Sequence, residues 1–358
     1  FWNNIHMNIA LFLQMAAEAC PDRPALTYDG KHYTYAQLFS AAKRAALYFS
    51  TGNCKFVCLL DTSSPATPIA LMGAAIAGIP YVPLNYRLSE EQITPLLDRI
   101  SPAYLISGPQ NENYDYDGWV VQGSTDFLSD VLNGEEVEVT WHEDPSAVAV
   151  QLFTSGTTGI PKAALLRHEH LVSYILGSVE FMGALEDEAA LVSVPPYHIA
   201  GISAAISNIY ACRRVVQLPD FDATEWLRLT ANEAVTSAFV VPTMLTRIIK
   251  EIDTAKLNPR TFSSLVSIAY GGGKMPVPVI SQALKLFPGV NFTNAYGLTE
   301  TSSTIALLDP DDHRAAIEQD DTAVHARLGS VGKPLPSVEI EVRDEDGKPL
   351  GPFEAGEI

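Results

Sequence analysis

The sequence is poor in cysteine and in basic residues, and no apolar run in it is long enough to cross a bilayer. Only four cysteines occur among 358 residues: Cys20, Cys54, Cys58 and Cys212. They form no C-x-x-C pair and no His/Cys cluster at metal spacing, which argues against a zinc module or a disulfide scaffold. The expectation is reduced, mostly buried thiols in a cytoplasmic protein. Lys and Arg number 23 against 42 Asp and Glu, a formal net charge of −19. A chain of that sign repels nucleic-acid backbones, so no nucleic-acid partner is expected. Local donors can still suit a small anion such as a nucleotide. The most apolar window, residues 69–84 (IALMGAAIAGIPYVPL), is interrupted by Gly73, Gly78, Pro80 and Pro83 and is too short for a membrane span. The first residues, FWNNIHMN, match no targeting pattern.

What the chain does have is a strand-and-helix rhythm and enough apolar residues, 47%, to fill a large core. Asp29–Gly30 between two β-prone runs predicts a hairpin, and Thr34 with Gln37 has the spacing of a capping box opening a helix to about Phe49. KFVCLLD reads as a strand, followed by a helix through Ile76, the apolar IPYVPL, and a helix start at Ser89-x-x-Gln92. Residues 108–143 read as an acidic, mainly superficial connection. A second series then alternates strands with helices, its strands SAVAVQLF, ALVSVP, RRVVQLP, TSAFVVP, SLVSIAYGGG and VNFTNAYG ending in Gly, Pro or Thr loops. Such a rhythm predicts two helix-covered, mostly parallel sheets, residues 1–145 and 146–328, with ligand-binding loops at a carboxyl edge. The remainder, 329–358, reads as the start of a small antiparallel, barrel-like unit marked by SVEIEVRD and Asp346–Gly347.

One loop carries the chemistry. In QLFTSGTTGIPKA (residues 151–163), small residues let backbone N–H groups converge on phosphate oxygens, hydroxyls add donors, and Lys162 adds a point charge. The loop is neither a Walker A sequence nor a nucleophile elbow. Taken alone, it reads more readily as a mobile linker.

TSGTTGIPK followed by AAL resembles the phosphate-loop signature of the adenylate-forming superfamily, which contains acyl- and aryl-CoA synthetases, amino-acid adenylation domains and luciferase. Four further segments match in order: PPYHIAG (195–201), AYGGGKMP (269–276), NAYGLTET (294–301) and GSVGKPLP (329–336). The resemblance implies an αβαβα-layered α/β fold and activation of a carboxylic acid by ATP to acyl-AMP. Pyrophosphate leaves, and the acyl group passes to CoA or, in the alternative, to a carrier-protein phosphopantetheine thiol. A third reading is an ATP- or acyl-binding module without turnover.

Carried over residue by residue, the resemblance implies that Thr154, Ser155, Gly156, Thr157, Thr158, Gly159 and Lys162 hold the β- and γ-phosphates. Thr299 would contact the α-phosphate and Glu300 would ligate Mg²⁺. For this pair the alternative is a helix N-cap with an acidic first turn. Gly271, Gly272, Gly273, Asn294, Ala295, Tyr296 and Gly297 would line the nucleotide cleft, or serve as a tight turn after a strand. His198 stands either at the carboxylate end of the acid pocket or as a structural residue. No acid follows it to pair with a substrate ammonium, which points to a plain fatty or aromatic acid in an apolar pocket of Ile199, Val240, Met244 and Ile305. Family members continue into a mobile C-terminal lid with a catalytic lysine. The resemblance therefore implies that this chain represents their large N-terminal portion.

Overall fold

The computed structural model describes residues 7–111, 118–154, 161–319, 321–336 and 338–358. The chain opens with α1 (Ala10–Ala19), the hairpin β1 (Pro24–Tyr28) and β2 (Lys31–Thr34), and α2 (Tyr35–Thr51). It continues through β3 (Phe56–Leu60), α3 (Ala66–Ala77), β4 (Tyr81–Pro83), α4 (Glu90–Leu97), β5 (Ala103–Ser107), β6 (Val120–Gly123) and α5 (Ser124–Asn133). The hairpin β7 (Val148–Thr154) and β8 (Lys162–Arg167) leads by α6 (His168–Ser178) to β9 (Ala189–Val192), α7 (Ile199–Tyr210) and β10 (Arg214–Gln217). Then come α8 (Ala223–Asn232), β11 (Ser237–Val240), α9 (Pro242–Thr254), β12 (Ser267–Gly271), α10 (Val277–Leu286) and β13 (Asn291–Leu298). The last elements are β14 (Ser303–Leu308), α11 (Pro310–Glu318), α12 (Thr322–Ala326) and β15 (Lys333–Pro334).

Local chemistry places several of these. The β1–β2 turn has Asp29 at φ 47° and Gly30 at φ 71°, the left-handed pair that such a two-residue connection needs. In the capping box of α2, Gln37 N–H donates to Thr34 Oγ1 at 3.3 Å and Thr34 N–H to Gln37 Oε1 at 2.8 Å. The apolar window becomes α3, buried on nearly every side in the protein interior. Among the described residues, no helix is long and apolar enough to cross a membrane. All four cysteines are free, Cys58 and Cys212 buried and Cys20 and Cys54 partly so.

Two sheets result. One has nine strands in the order β15-β14-β13-β12-β11-β9-β10-β1-β2, the other six in the order β6-β5-β3-β4-β7-β8. Strand alternation separates three cores. Val57 and Leu59 of β3 face a core shared with α1, α2, α3, α6 and α7, while Cys58 and Leu60 face a smaller one with α4. On the nine-stranded sheet Val215 joins the shared core and Val216 a third, packed with α8, α9 and α10. Helix, sheet, helix, sheet and helix thus alternate, as expected.

The boundary expected at 145/146 separates neither sheet. Strand β1 pairs with β10 (Leu26 opposite Val215), so the first hairpin extends the nine-stranded sheet. Strand β7 pairs with β4 (Tyr81 opposite Val150), so β7 and β8 complete the six-stranded one. Each of these hairpins closes one end of a sheet, and its pairing partner is distant in sequence, which sequence order does not fix. Within the stretch expected to be a superficial connection, residues 120–133 form β6 and α5, anchored by the fully buried Phe127 and Val131 one turn apart. The final segment adds β15 to the large sheet and the bridges Arg343–Pro349 and Arg343–Glu357, and no closed barrel forms among the described residues.

The N-terminal helix is docked through a buried histidine. His168 is 1% exposed and accepts Ile9 N–H at Nδ1, 3.3 Å away. Burial first, then the nearby His142, lowers its pKa from 6.5 to about 4. A base with a depressed native pKa stabilises the fold fully above pH 6.5, and that contribution is lost as pH falls through about 4. Between those limits the loss is on the order of 3 kcal/mol. A His168→Gln protein, which keeps an acceptor but does not titrate, is expected to lose this part of the acid sensitivity. Denaturant unfolding of both proteins at pH 7 and pH 4.5 measures the difference.

Candidate active site

The candidate site lies where the two sheets meet. Strands β12 and β13 alternate large and small side chains: Ile268, Tyr270 and Phe292 face the core packed by α9 and α10. The intervening Ser267, Ala269, Thr293 and Ala295 face the other way. Small residues on that face leave a cavity of about 1040 Å³ between the nine-stranded sheet and α7. Helix α7 contributes Ala200, Ser203, Ala204 and Ser207, a stripe of small residues at helical spacing.

Thr154, His198, Ile199, Met244, Gly272, Ala295, Gly297, Thr299 and Glu300 all line this one cavity. Thr154 ends β7 and pairs directly with Lys162 at the start of β8, so the phosphate-loop candidate is the connection of an antiparallel hairpin. Ser155, Gly156, Thr157, Thr158 and Gly159 lie outside the described residues. The base of the hairpin is anchored by Arg99, whose Nη1 donates to Pro161 O at 2.7 Å and whose guanidinium lies 5.2 Å from the Phe153 ring centroid. Strand β8 lies beside the turn Thr299–Thr301; Lys162, at its start, is exposed and is not among the residues lining the cavity.

That turn is held in an unusual shape. Ser302 has φ 58° and Ser303 φ 116°, both in the region side chains avoid. Leu298 N–H donates to Thr301 Oγ1 at 2.9 Å, and the Thr301 hydroxyl contacts Leu298 O at 3.0 Å and Ser303 O at 2.9 Å. The turn presents the Glu300 side chain to the cavity, where no hydrogen bond or ion pair engages it among the described residues. No group of three or more His, Cys, Asp or Glu side chains able to hold a metal occurs among them. A lone carboxylate facing open space suits Mg²⁺, which takes one or two carboxylates and completes its shell with phosphate and water oxygens.

The glycines of AYGGG divide their work. A Cβ on Gly271 would sit 2.2 Å from Ala295 O, so this residue permits the close pairing of β12 and β13. Gly272 has φ +72° and turns the chain at the cavity wall. A Cβ on Gly273 meets nothing nearer than Pro242 Cγ at 3.8 Å, an ordinary contact. Gly273→Ala is therefore expected to change stability by less than about 0.5 kcal/mol in thermal unfolding.

Other expected residues fall elsewhere. Val240 is fully buried in the core on the far face of β11, while its neighbours Phe239 and Val241 line the cavity. Val240 is thus placed in the core and is not among the residues lining the cavity. Asn294 shares the parity of Phe292, and its Nδ2 donates to Ser330 O at 2.9 Å, tying the GSVG segment to β13. Tyr296, two residues on, shares that face. Ile305 sits at the irregularity between the paired Ala306 and Thr304 and is absent from the cavity lining. Behind the glycines, Tyr270 meets buried His313: the ring Nδ1–H donates to Asp309 O at 2.6 Å, so Nε2 accepts the Tyr270 hydroxyl at 2.8 Å.

Sequence reasoning missed a charged cluster at the cavity. Arg87 pairs with Asp220, which also accepts the Tyr86 hydroxyl at 3.3 Å, and Tyr197 lies edge-on to Tyr86 at 5.6 Å. The surface of His198 is open to the cavity, yet the surrounding walls partly desolvate the ring. That effect first, and the Arg87 charge second, hold its pKa below the ordinary histidine value. Arg247 also lines the cavity, 4.9 Å from the Phe221 ring centroid and without a carboxylate partner among the described residues. Its position one turn beyond Met244 on α9 was a readable signal, since both share a helix face. The Arg87–Asp220 pair spans 133 residues and had no local signal.

A fold of two stacked, helix-covered sheets with a glycine- and threonine-lined cavity at their junction is that of an adenylate-forming enzyme. The sequence pattern of the AMP-binding enzyme family matches residues 13–358, and the chain belongs to that family. The chain is 29% identical to the 2-succinylbenzoate–CoA ligase of Bacillus subtilis, over 97% of this chain and 68% of that protein. The Bacillus licheniformis ligase of the same name is 31% identical, over 97% and 69%. Among solved structures, O-succinylbenzoate coenzyme A synthetase from Bacillus subtilis in complex with ATP and magnesium ion superimposes with a TM-score of 0.80. It is 29% identical, with 96% of this chain and 68% of that one covered. The N-terminal domain of FACL13 from Mycobacterium tuberculosis, 21% identical, has the same fold with a TM-score of 0.81.

Proposed function

We propose that this chain is the nucleotide- and acid-binding part of an acid–CoA ligase. In this reading a carboxylate oxygen of the acid attacks the α-phosphorus of ATP, pyrophosphate leaves, and the acyl group of the adenylate passes to the CoA thiol. The observation that carries it is the convergence of Thr154, His198, Gly272, Ala295, Thr299 and Glu300 on one cavity. Two anions must meet there, so positioning and charge neutralisation supply the catalysis and no protein nucleophile is needed. Lys162 at the base of the hairpin supplies positive charge toward the β- and γ-phosphates. Glu300 would hold Mg²⁺, which neutralises phosphate charge when bound. Thr299 orients the α-phosphate, and neutral His198 faces the acid carboxylate.

For the acid, we favour an aryl acid with a second anionic group, of the 2-succinylbenzoate kind, over a fatty acid. Two features support this: the names of the relatives, and Arg247, an unpaired guanidinium among the many hydroxyls of the cavity. The apolar pocket expected from sequence is thereby revised to a mixed one. The test compares acyl-AMP formation from 2-succinylbenzoate, benzoate and a medium-chain fatty acid with Mg-ATP, in the parent protein and in Arg247→Met. Preference for the dicarboxylate, lost by at least about tenfold in the variant, is expected. Use of the fatty acid by the parent protein as readily as of 2-succinylbenzoate, or an unchanged preference in Arg247→Met, would contradict the assignment.

A further inference from the structure

A second cleft, of about 770 Å³, shares no lining residue with the cavity above. It opens at the carboxyl ends of β3 and β5. The chain leaves β3 for β4 on one side and β5 for β6 on the other, so the connections diverge at the crevice between them. Open α/β sheets bind ligands at such a crevice. One wall is the β1–β2 hairpin, with Tyr28, Asp29, Lys31 and Tyr33, and another is a mixed face of α5 that includes Thr125, Ser129, Leu128 and Leu132.

At the floor stands Asp61, only 8% exposed. Its Oδ1 accepts Thr62 N–H at 2.7 Å, and the Thr62 hydroxyl lies 3.4 Å from the same oxygen. Among the described residues, Oδ2 has no partner and no basic side chain pairs with the carboxylate. The carboxylate thus has one oxygen held by Thr62 and the other free to meet an occupant of the cleft. Among the described residues, the lining carries Asp29 and Asp61 against Lys31 alone, which disfavours a phosphate-bearing occupant. Burial first, then Asp61 and Asp29, raises the Tyr28 hydroxyl pKa, which keeps that ring neutral beside the acids. A carboxylate and tyrosines lining one cleft are the residue types that recognise an organic cation.

We propose that this cleft is a second ligand site, for a small organic ammonium ion, with Asp61 as counter-ion and Tyr28 and Tyr33 as its aromatic walls. Tyr86 also lines the cleft, and its hydroxyl contacts Asp220, the partner of Arg87 in the larger cavity.

The test is calorimetric titration of the protein with choline chloride and with putrescine dihydrochloride, against sodium chloride at matched ionic strength and against ribose. Saturable binding of at least one ammonium is expected, without a sodium chloride or ribose response. Asp61→Asn keeps the Thr62 contact and the shape, and should weaken binding tenfold or more while leaving the unliganded melting temperature within a few degrees. Should Asp61→Asn fail to fold, Tyr33→Leu serves instead, with the same tenfold loss expected. Absence of saturable ammonium binding, unchanged affinity in the variant that folds, or a preference for ribose would each overturn the proposal.

Discussion

Replacing Glu300 by glutamine is expected to lower acid-dependent pyrophosphate release about a hundredfold, with the fold unchanged. The amide keeps the size and the place of the side chain on the Thr299–Thr301 turn but lacks the charge for a hard divalent cation. Misplacing a group that stabilises developing charge typically costs about 3 kcal/mol of barrier. Because Glu300 is exposed and has no partner among the described residues, its loss leaves no buried group stranded, and denaturation midpoints should not move. The diagnostic readout is the Mg²⁺ dependence. In the variant, half-maximal rate should need at least about tenfold more Mg²⁺, since a carboxylate contact to a divalent ion is lost. An unchanged Mg²⁺ curve, with a rate within about threefold of the parent, would remove Glu300 from the metal site.

Gly297→Ala is expected to have the opposite character, acting through the backbone. A Cβ at this position would lie 1.6 Å from Ser303 O and 2.5 Å from its carbonyl carbon. Neither atom can yield, because Gly297 and Leu298 pair with Thr304 and Ser303 and the connecting turn already holds two residues at positive φ. The pairing of β13 with β14 has to open, for which we expect a loss of about 3 kcal/mol or more of stability. Adenylation should fall along with it, since the same pairing carries Thr299 and Glu300. A denaturant titration and a rate measurement on one sample check both. Little change in midpoint would show that the strands separate here at no cost. The contrast with Gly273→Ala, predicted to be silent in stability, distinguishes glycines that hold strands together from one with room to spare.

Much of this was legible in the sequence wherever the signal was local. Asp29–Gly30 and Thr34-x-x-Gln37 specify their turn and cap through contacts within a few residues, and the structure has both. The clustering of strand-end glycines and threonines pointed correctly to one shared cavity. What was not legible depended on pairing across long separations. Nothing near residues 24–34 says that the first hairpin crosses to the sheet built by residues after 185, or that β7 returns to β4. Side-chain parity lay in between. In SIAYG and NFTNA the alternation of large and small residues is visible, and reading it strictly would have assigned Asn294 to the structural face. Val240 was misplaced for the same reason: an apolar residue beside a pocket is not in it when the strand turns it the other way. Arg247 was legible from its place one turn beyond Met244 on α9, whereas the Arg87–Asp220 pair, 133 residues apart, had no local signal.

The account rests on one chemical claim, that this cavity joins an acid to the α-phosphate of ATP and does so reversibly. Acid-dependent exchange of labelled pyrophosphate into ATP, with 2-succinylbenzoate as the acid, tests it most directly because the reaction needs no CoA. The account predicts exchange that requires both Mg²⁺ and the acid and falls by at least about tenfold in Lys162→Ala, a loss of one charged phosphate contact. Exchange independent of the acid, or ATP binding without exchange for every acid offered, would contradict it.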